Sequence, residues 1–278
     1  MSRDTFHIAS QYQPVLRRVG LDAELIFSHP EIRPWRTLAD RENCTLDATL
    51  DHGSPIRLHV KRYPPVRRAI SPAEVEVAGF NLLESARIPT APLAGWGKLA
   101  DGRSFVLTED LARYRDSEKL VASGTPFDRI LAPTADLAAK LHRAGLHHRD
   151  LYLCHFFVKL APSDDDRAPR QHGEESGDAA RFFPVDVKLI DVARVRRLPA
   201  LFTRQRWIVK DLAQFWYSTL KLPITDEQRH AWLTRYAIAT DVKSIDALRR
   251  AVERKVARIA RHDDRLKRVQ PGRNISIP

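Results

Sequence analysis

The sequence predicts an α+β fold in two lobes, a small antiparallel β lobe with one main helix and a mainly α-helical large lobe. Three observations carry that expectation. Residues 44–50 and 56–63 alternate in polarity on either side of Asp51-His52-Gly53-Ser54-Pro55, as half-buried hairpin strands do. Residues 93–99 and 104–108 repeat the pattern around Ala100-Asp101-Gly102-Arg103. Past residue 110 helical spacing predominates, over 136–144, from 210 through 220 and over 244–261. The division therefore falls there, with an N-terminal extension and the small lobe in 1–110 and the large lobe in 111–278.

Taken in order, the chain up to about Ile32 shows no clean periodicity, and Pro30 and Pro34 bracket the start of regular structure. This stretch reads as an extension packed on the small lobe. After the first hairpin, Val77, Phe80 and Leu83 recur at helical spacing within 73–84. In the large lobe, Leu137, Leu141 and Ala144 mark a helix over 136–144 that stops at Gly145. Residues 156–160 form a strand, Cys154 just before it reads as a strand residue rather than a nucleophile, and residues 187–193 read as another apolar strand that delivers Asp191. Between them, 162–180 is acidic and nearly without apolar residues, which predicts a mobile insertion with a solvated Asp164-Asp165-Asp166. Lys210-Asp211-Leu212 opens a helix through Leu220, and Ile245, Leu248, Val252, Val256 and Ile259 stripe a last one over 244–261.

No apolar run approaches the roughly 20 residues of a membrane-spanning helix, and the first twenty residues are too polar for a secretory signal, so a cytoplasmic chain is expected. Cys44 and Cys154 lack metal-ligand spacing and give no disulfide framework. The net charge of +11 draws polyanions: nucleic acid, an anionic membrane face or a phosphorylated glycolipid. Nucleic acid is the reading without a motif, since neither zinc-finger spacing nor an aromatic ribonucleoprotein motif occurs.

The chemistry centres on His148-Arg149-Asp150, in a loop between a helix and a strand. Phosphoryl transfer needs a carboxylate to accept the acceptor hydroxyl's proton and ligands that hold a metal on the nucleotide phosphates. Asp150 suits the first role, with His148 and Arg149 supporting its loop. His155, five residues on, stands at the position of a metal-binding Asn, and Asp191 closes an apolar strand as the second metal ligand.

The whole segment from His148 to Phe157, with Tyr152, Cys154 and His155 in place, resembles the lipopolysaccharide kinase family of heptose and Kdo kinases, WaaP-type, and the likeness extends more weakly from about Trp35 to Tyr236. The resemblance implies a protein-kinase-like fold that uses ATP and Mg2+ to phosphorylate a lipopolysaccharide core sugar or another anionic glycolipid, with peripheral contact to the inner membrane. It places Lys61 on the α- and β-phosphates, paired with Glu76, for which Glu74 competes. It sets the backbone of Glu109 to Leu111 along the adenine edge and Asp211 beneath the catalytic loop. Two departures stand out: His59 occupies the place of a small residue over the adenine, and the turn Asp40-Arg41-Glu42-Asn43-Cys44 holds no glycine. Arg194, Arg196 and Arg197 are expected at the anionic acceptor. Two other readings remain at this point, a small-molecule phosphotransferase of the same fold and a pseudokinase scaffold.

Overall fold

The computed structural model describes residues 4–67, 69–160 and 185–270. The acidic stretch 162–180 lies outside them. In chain order the strands are β1 (Thr5–Ile8), β2 (Arg33–Thr37), β3 (Glu42–Thr49), β4 (Pro55–Tyr63), β5 (Leu93–Lys98), β6 (Ser104–Glu109), β7 (Arg115–Asp116), β8 (Leu146–His147), β9 (Phe156–Lys159), β10 (Asp186–Leu189) and β11 (Arg196–Arg197). The helices are α1 (Gln13–Arg18), α2 (Pro72–Ser85), α3 (Ser117–Ala122), α4 (Asp128–Arg143), α5 (Leu201–Thr219), α6 (Asp226–Ala239) and α7 (Ile245–Val269). The fold is mixed α/β, and the chain divides into one unit of residues 1–112, 144–149 and 189–198 and another of 113–143, 150–188 and 199–278.

The first unit is built on a six-stranded sheet of order β1-β5-β6-β4-β3-β2. Both predicted hairpins are there, with Thr45 opposite His59 in one and Trp96 opposite Val106 in the other. Alternation sorts their side chains. Cys44, Leu46, Leu58, Val60, Phe105 and Leu107 turn to one face and join a core closed by Tyr12, Val15, Leu16 and Ile26, so the N-terminal extension is the cover of that face. Gly97 lets β1 reach β5, because a Cβ there would stand 2.2 Å from the Thr5 carbonyl oxygen. Pro34 is tolerated in β2 because that strand is at the sheet's edge, next to a register shift.

On α2, Ser71 caps the N-terminus, Pro72 occupies the first turn, and Glu74 completes a capping box by accepting from the Ser71 amide at 2.6 Å. Such a cap contributes about 1 kcal/mol.

In the second unit, Phe215 stacks on Trp232 at 3.9 Å between centroids and meets Phe156 edge-on at 5.5 Å. The buried Trp232 Nε1–H donates to Thr134 Oγ1 at 3.0 Å. Three sequence expectations change here. α4 begins at Asp128 rather than 136, its first turns disguised by Pro133. α5 begins at Leu201, so Asp211 stands in mid-helix and not at an N-terminus; in the leading turns the run Thr203-Arg204-Gln205-Arg206 interrupts the apolar spacing. Cys154 sits in a 3-10 turn over Leu153–His155 before β9. α7 keeps its predicted face, with Leu248, Val252 and Val256 buried, and runs on to Val269, where Asp263 is bonded by Lys267 one turn later at 2.6 Å. Among the described residues no helix is long and apolar enough to cross a membrane.

Candidate active site

β4 sends Leu58 and Val60 into the core, which leaves His59, Lys61 and Tyr63 on the opposite face. There α2 presents Glu76, only 1% exposed. Lys61 Nζ lies 2.6 Å from Glu76 Oε1 and 3.6 Å from Asp191 Oδ1. Burial alone would lower the Lys61 amine, but the Glu76 and Asp191 charges outweigh it and hold the amine above its ordinary value. The Tyr63 hydroxyl donates to Glu76 Oε2, and burial beside that carboxylate pushes the phenol well above the usual tyrosine range. Glu74, two positions away, is occupied in the capping box, so Glu76 is the carboxylate that meets Lys61.

Asp191 follows β10 in a left-handed conformation, φ 58° and ψ 59°. Few residues other than glycine hold that geometry without cost, and aspartate is one of the better tolerated. Its neighbours fix it. The Leu189 amide donates to the Pro89 carbonyl at 2.9 Å, and His148 Nε2–H donates to the Ile190 carbonyl at 3.0 Å. Arg196 pairs with His147 where β11 meets β8. Gly79 of α2 is seated against Val192, whose carbonyl oxygen would be 2.1 Å from an added Cβ.

At the end of β6, the Tyr12 hydroxyl donates to Glu109 Oε2 at 2.5 Å, and His59 Nε2 pairs with Asp110 Oδ1 at 2.7 Å. Leu111 is buried. Burial and the Glu109 contact raise the Tyr12 phenol well above its ordinary value.

Within the second unit, Asp150 is held from both ends. His155 Nδ1–H donates to the Asp150 carbonyl at 2.6 Å, and the Gln214 amide reaches Asp150 Oδ1 at 3.4 Å and Tyr152 Oη at 3.1 Å. The Leu153 amide donates to Ser218 Oγ at 2.9 Å. Asp211, fully buried, faces His142 Nε2 at 3.3 Å, and the Tyr236 hydroxyl closes the other side of that imidazole at 2.7 Å. Gln214 and Ser218 escape a motif search. Their signal was spacing, since Asp211, Gln214 and Ser218 share one stripe of α5.

Among the described residues no three His, Cys, Asp or Glu side chains converge as a cation cage. Magnesium seldom uses one; it takes one or two carboxylates, waters and substrate phosphates. The hard carboxylate of Asp191 fits that pattern. His155 donates Nδ1–H to the Asp150 carbonyl, so Nε2 is the ring nitrogen that suits a metal, though nitrogen is the softer donor. Of the three arginines after Asp191, Arg194 and Arg197 are exposed, whereas Arg196 donates to the Ala193 and Val195 carbonyls at 3.1 and 2.6 Å. Burial, with Arg149 and Arg194 nearby, lowers the Arg196 guanidinium.

So the structure brings Lys61, Glu76, Asp191 and His148 together in one unit, and Asp150, His155 and Asp211 lie in the other. Comparison with known proteins adds the lineage. The chain is 28% identical over 178 residues to the lipopolysaccharide core heptose(I) kinase WaaP of Pseudomonas aeruginosa, covering 59% of each chain. It is 26% identical over 191 residues to the protein of that name from Escherichia coli K12, covering 65% of this chain and 64% of the relative. The chain thus spans about three fifths of the length of these relatives. The model of the lipopolysaccharide kinase (Kdo/WaaP) family matches residues 73–236, more than half of the sequence, and the protein belongs to that family.

Proposed function

We propose that the chain is a kinase of two-lobed, protein-kinase-like architecture that transfers the γ-phosphoryl group of ATP to a sugar hydroxyl of lipopolysaccharide core or a related anionic glycolipid. Residues 1–110 hold the nucleotide and 111–278 carry the catalytic loop and the acceptor. The observation that carries the reading is the Lys61 ammonium set 2.6 Å from Glu76 and 3.6 Å from Asp191. A lysine so braced is aimed at an anion rather than at solvent, and a carboxylate beside it suits a metal ion on the same phosphates. The relatives' name, lipopolysaccharide core heptose(I) kinase, supports the choice of acceptor.

In this mechanism Lys61 binds the α- and β-phosphates and Glu76 fixes its position. Glu109 and Leu111 offer backbone groups to the adenine, with His59 at its edge. Asp191 and His155 would hold magnesium, which would offset the negative charge that develops on the transferring phosphoryl group. Asp150 orients the sugar hydroxyl and takes its proton, and Asp211 anchors the loop from α5. Use of ATP places the reaction on the cytoplasmic side, with peripheral contact to the inner membrane where the acceptor is lipid-linked.

The test is label transfer from γ-labelled ATP with magnesium to purified core oligosaccharides and their lipid-linked forms. Labelled sugar is expected. No transfer to any of them, together with no rise of the melting temperature on adding ATP and magnesium, would leave a non-catalytic scaffold.

The acceptor site makes its own prediction. Changing Arg194 and Arg197 together to Gln is expected to raise KM for an anionic acceptor roughly tenfold and KM for ATP less than about twofold. Raised salt should imitate the change in the parent enzyme. Equal losses for both substrates would assign these arginines to structure.

A further inference from the structure

The turn between β2 and β3 lacks the glycines whose backbone amides would cover nucleotide phosphates, and the side chains there suggest a replacement. The turn is closed by the Leu38 amide on the Arg41 carbonyl at 2.8 Å. Directly after it Glu42 pairs with Arg62 and Asn43 with Lys61, so Arg41 continues the register toward Tyr63. Cross-strand partners share a face. Arg41 and Asn43 therefore stand on the Lys61 side of the sheet, while Cys44 and Leu46 fill the core behind it.

Among the described residues, Arg41 Nε and Asn43 Oδ1 on this face are buried and find no hydrogen-bond partner. A buried donor of that kind calls for an acceptor, and a guanidinium calls for an anionic one. Among the described residues, Arg41 meets the carboxylate of its own neighbour Asp40 at 3.2 Å, and the Asp40 side chain is 72% exposed. Such a pair contributes little and does not engage Nε. The Arg41 charge is nevertheless felt at both Lys61 and Tyr63, against the pull of Glu76 and Asp191. Glu76 is already taken by Lys61 and Tyr63.

We propose that Arg41 is a phosphate ligand of the bound nucleotide, a side-chain guanidinium in place of the backbone amides of a glycine-rich loop. The inference rests on the kinase reading above. A planar fork of N–H donors can hold a polyphosphate bidentately beside the point charge of Lys61, and it needs no glycine to let the backbone approach.

Calorimetric titration of the whole protein with magnesium-ATP and with adenosine tests this, using Arg41→Gln and Arg41→Lys alongside the parent. Arg41→Gln is expected to weaken ATP roughly tenfold or more and to leave adenosine unchanged, and Arg41→Lys to recover part of the loss. Parent-like ATP affinity in Arg41→Gln would overturn the role of Arg41 while leaving the kinase reading intact. Equal weakening of ATP and adenosine would make Arg41 a structural residue and also overturn it. A parent that binds neither ligand would remove the kinase reading itself, and this inference with it.

Discussion

Asp150→Asn is expected to lose about two to four orders of magnitude in turnover while KM for ATP and the melting temperature stay close to the parent's. The reasoning starts from what holds the residue. Its carbonyl receives His155 and its carboxylate receives Gln214, two contacts that a side-chain amide of the same size can keep. Asparagine keeps the size and an oxygen that can accept from Gln214. It lacks a basic oxygen for the acceptor's proton. Arg149, immediately before it, has φ 72°, a conformation that most side chains resist and that sets the direction in which the chain enters residue 150. The expected pattern is therefore a loss in kcat alone, read by initial rates at saturating ATP together with thermal denaturation. Near-normal transfer in the variant would take the proton-accepting role away from Asp150.

Gly79→Ala is expected to cost about 1–3 kcal/mol in stability and most of the activity. The added methyl would fall 2.1 Å from the Val192 carbonyl oxygen, which is backbone and cannot rotate aside. Either α2 withdraws, carrying Glu76 from Lys61, or the segment behind Asp191 moves. Both outcomes disturb the same 2.6 and 3.6 Å contacts. Ala78→Ser, one residue away and exposed, is the control and should behave as the parent. In a chain of this size the loss should appear as a drop of several degrees in the melting temperature. A Gly79→Ala protein with parent stability and activity would mean that α2 is not seated on this segment as described.

Both hairpins and α2 were legible because strand alternation and helical spacing are local signals. The rivalry between Glu74 and Glu76 was open in the sequence. It closes in the structure because residues two apart on a helix face different ways and Ser71 claims Glu74. Asp150, His155 and Asp191, the residues proposed for proton acceptance and metal, stood out in the sequence as a motif, since that chemistry asks for particular residue types. Tyr12, Tyr63 and Gln214 were not, because each acts through a partner on another element, and no local pattern records that meeting. The early starts of α4 and α5 were hidden by Pro133 and by the polar run Thr203-Arg204-Gln205-Arg206, where propensity and pattern disagree with tertiary packing.

The strand order of the six-stranded sheet also sets a schedule for folding. β2, β3 and β4 are neighbours in sequence and can pair as soon as they are made, but β1 has its partner in β5, with Thr5 opposite Lys98. On a ribosome β1 thus emerges before the rest of this sheet yet is among the last of its strands to be placed. Until Leu93–Lys98 has been synthesised, the apolar side chains of Tyr12, Val15 and Leu16 wait without the completed sheet they cover. Pairing across such a separation is slow, and the exposed surface is open to aggregation or chaperones in the meantime.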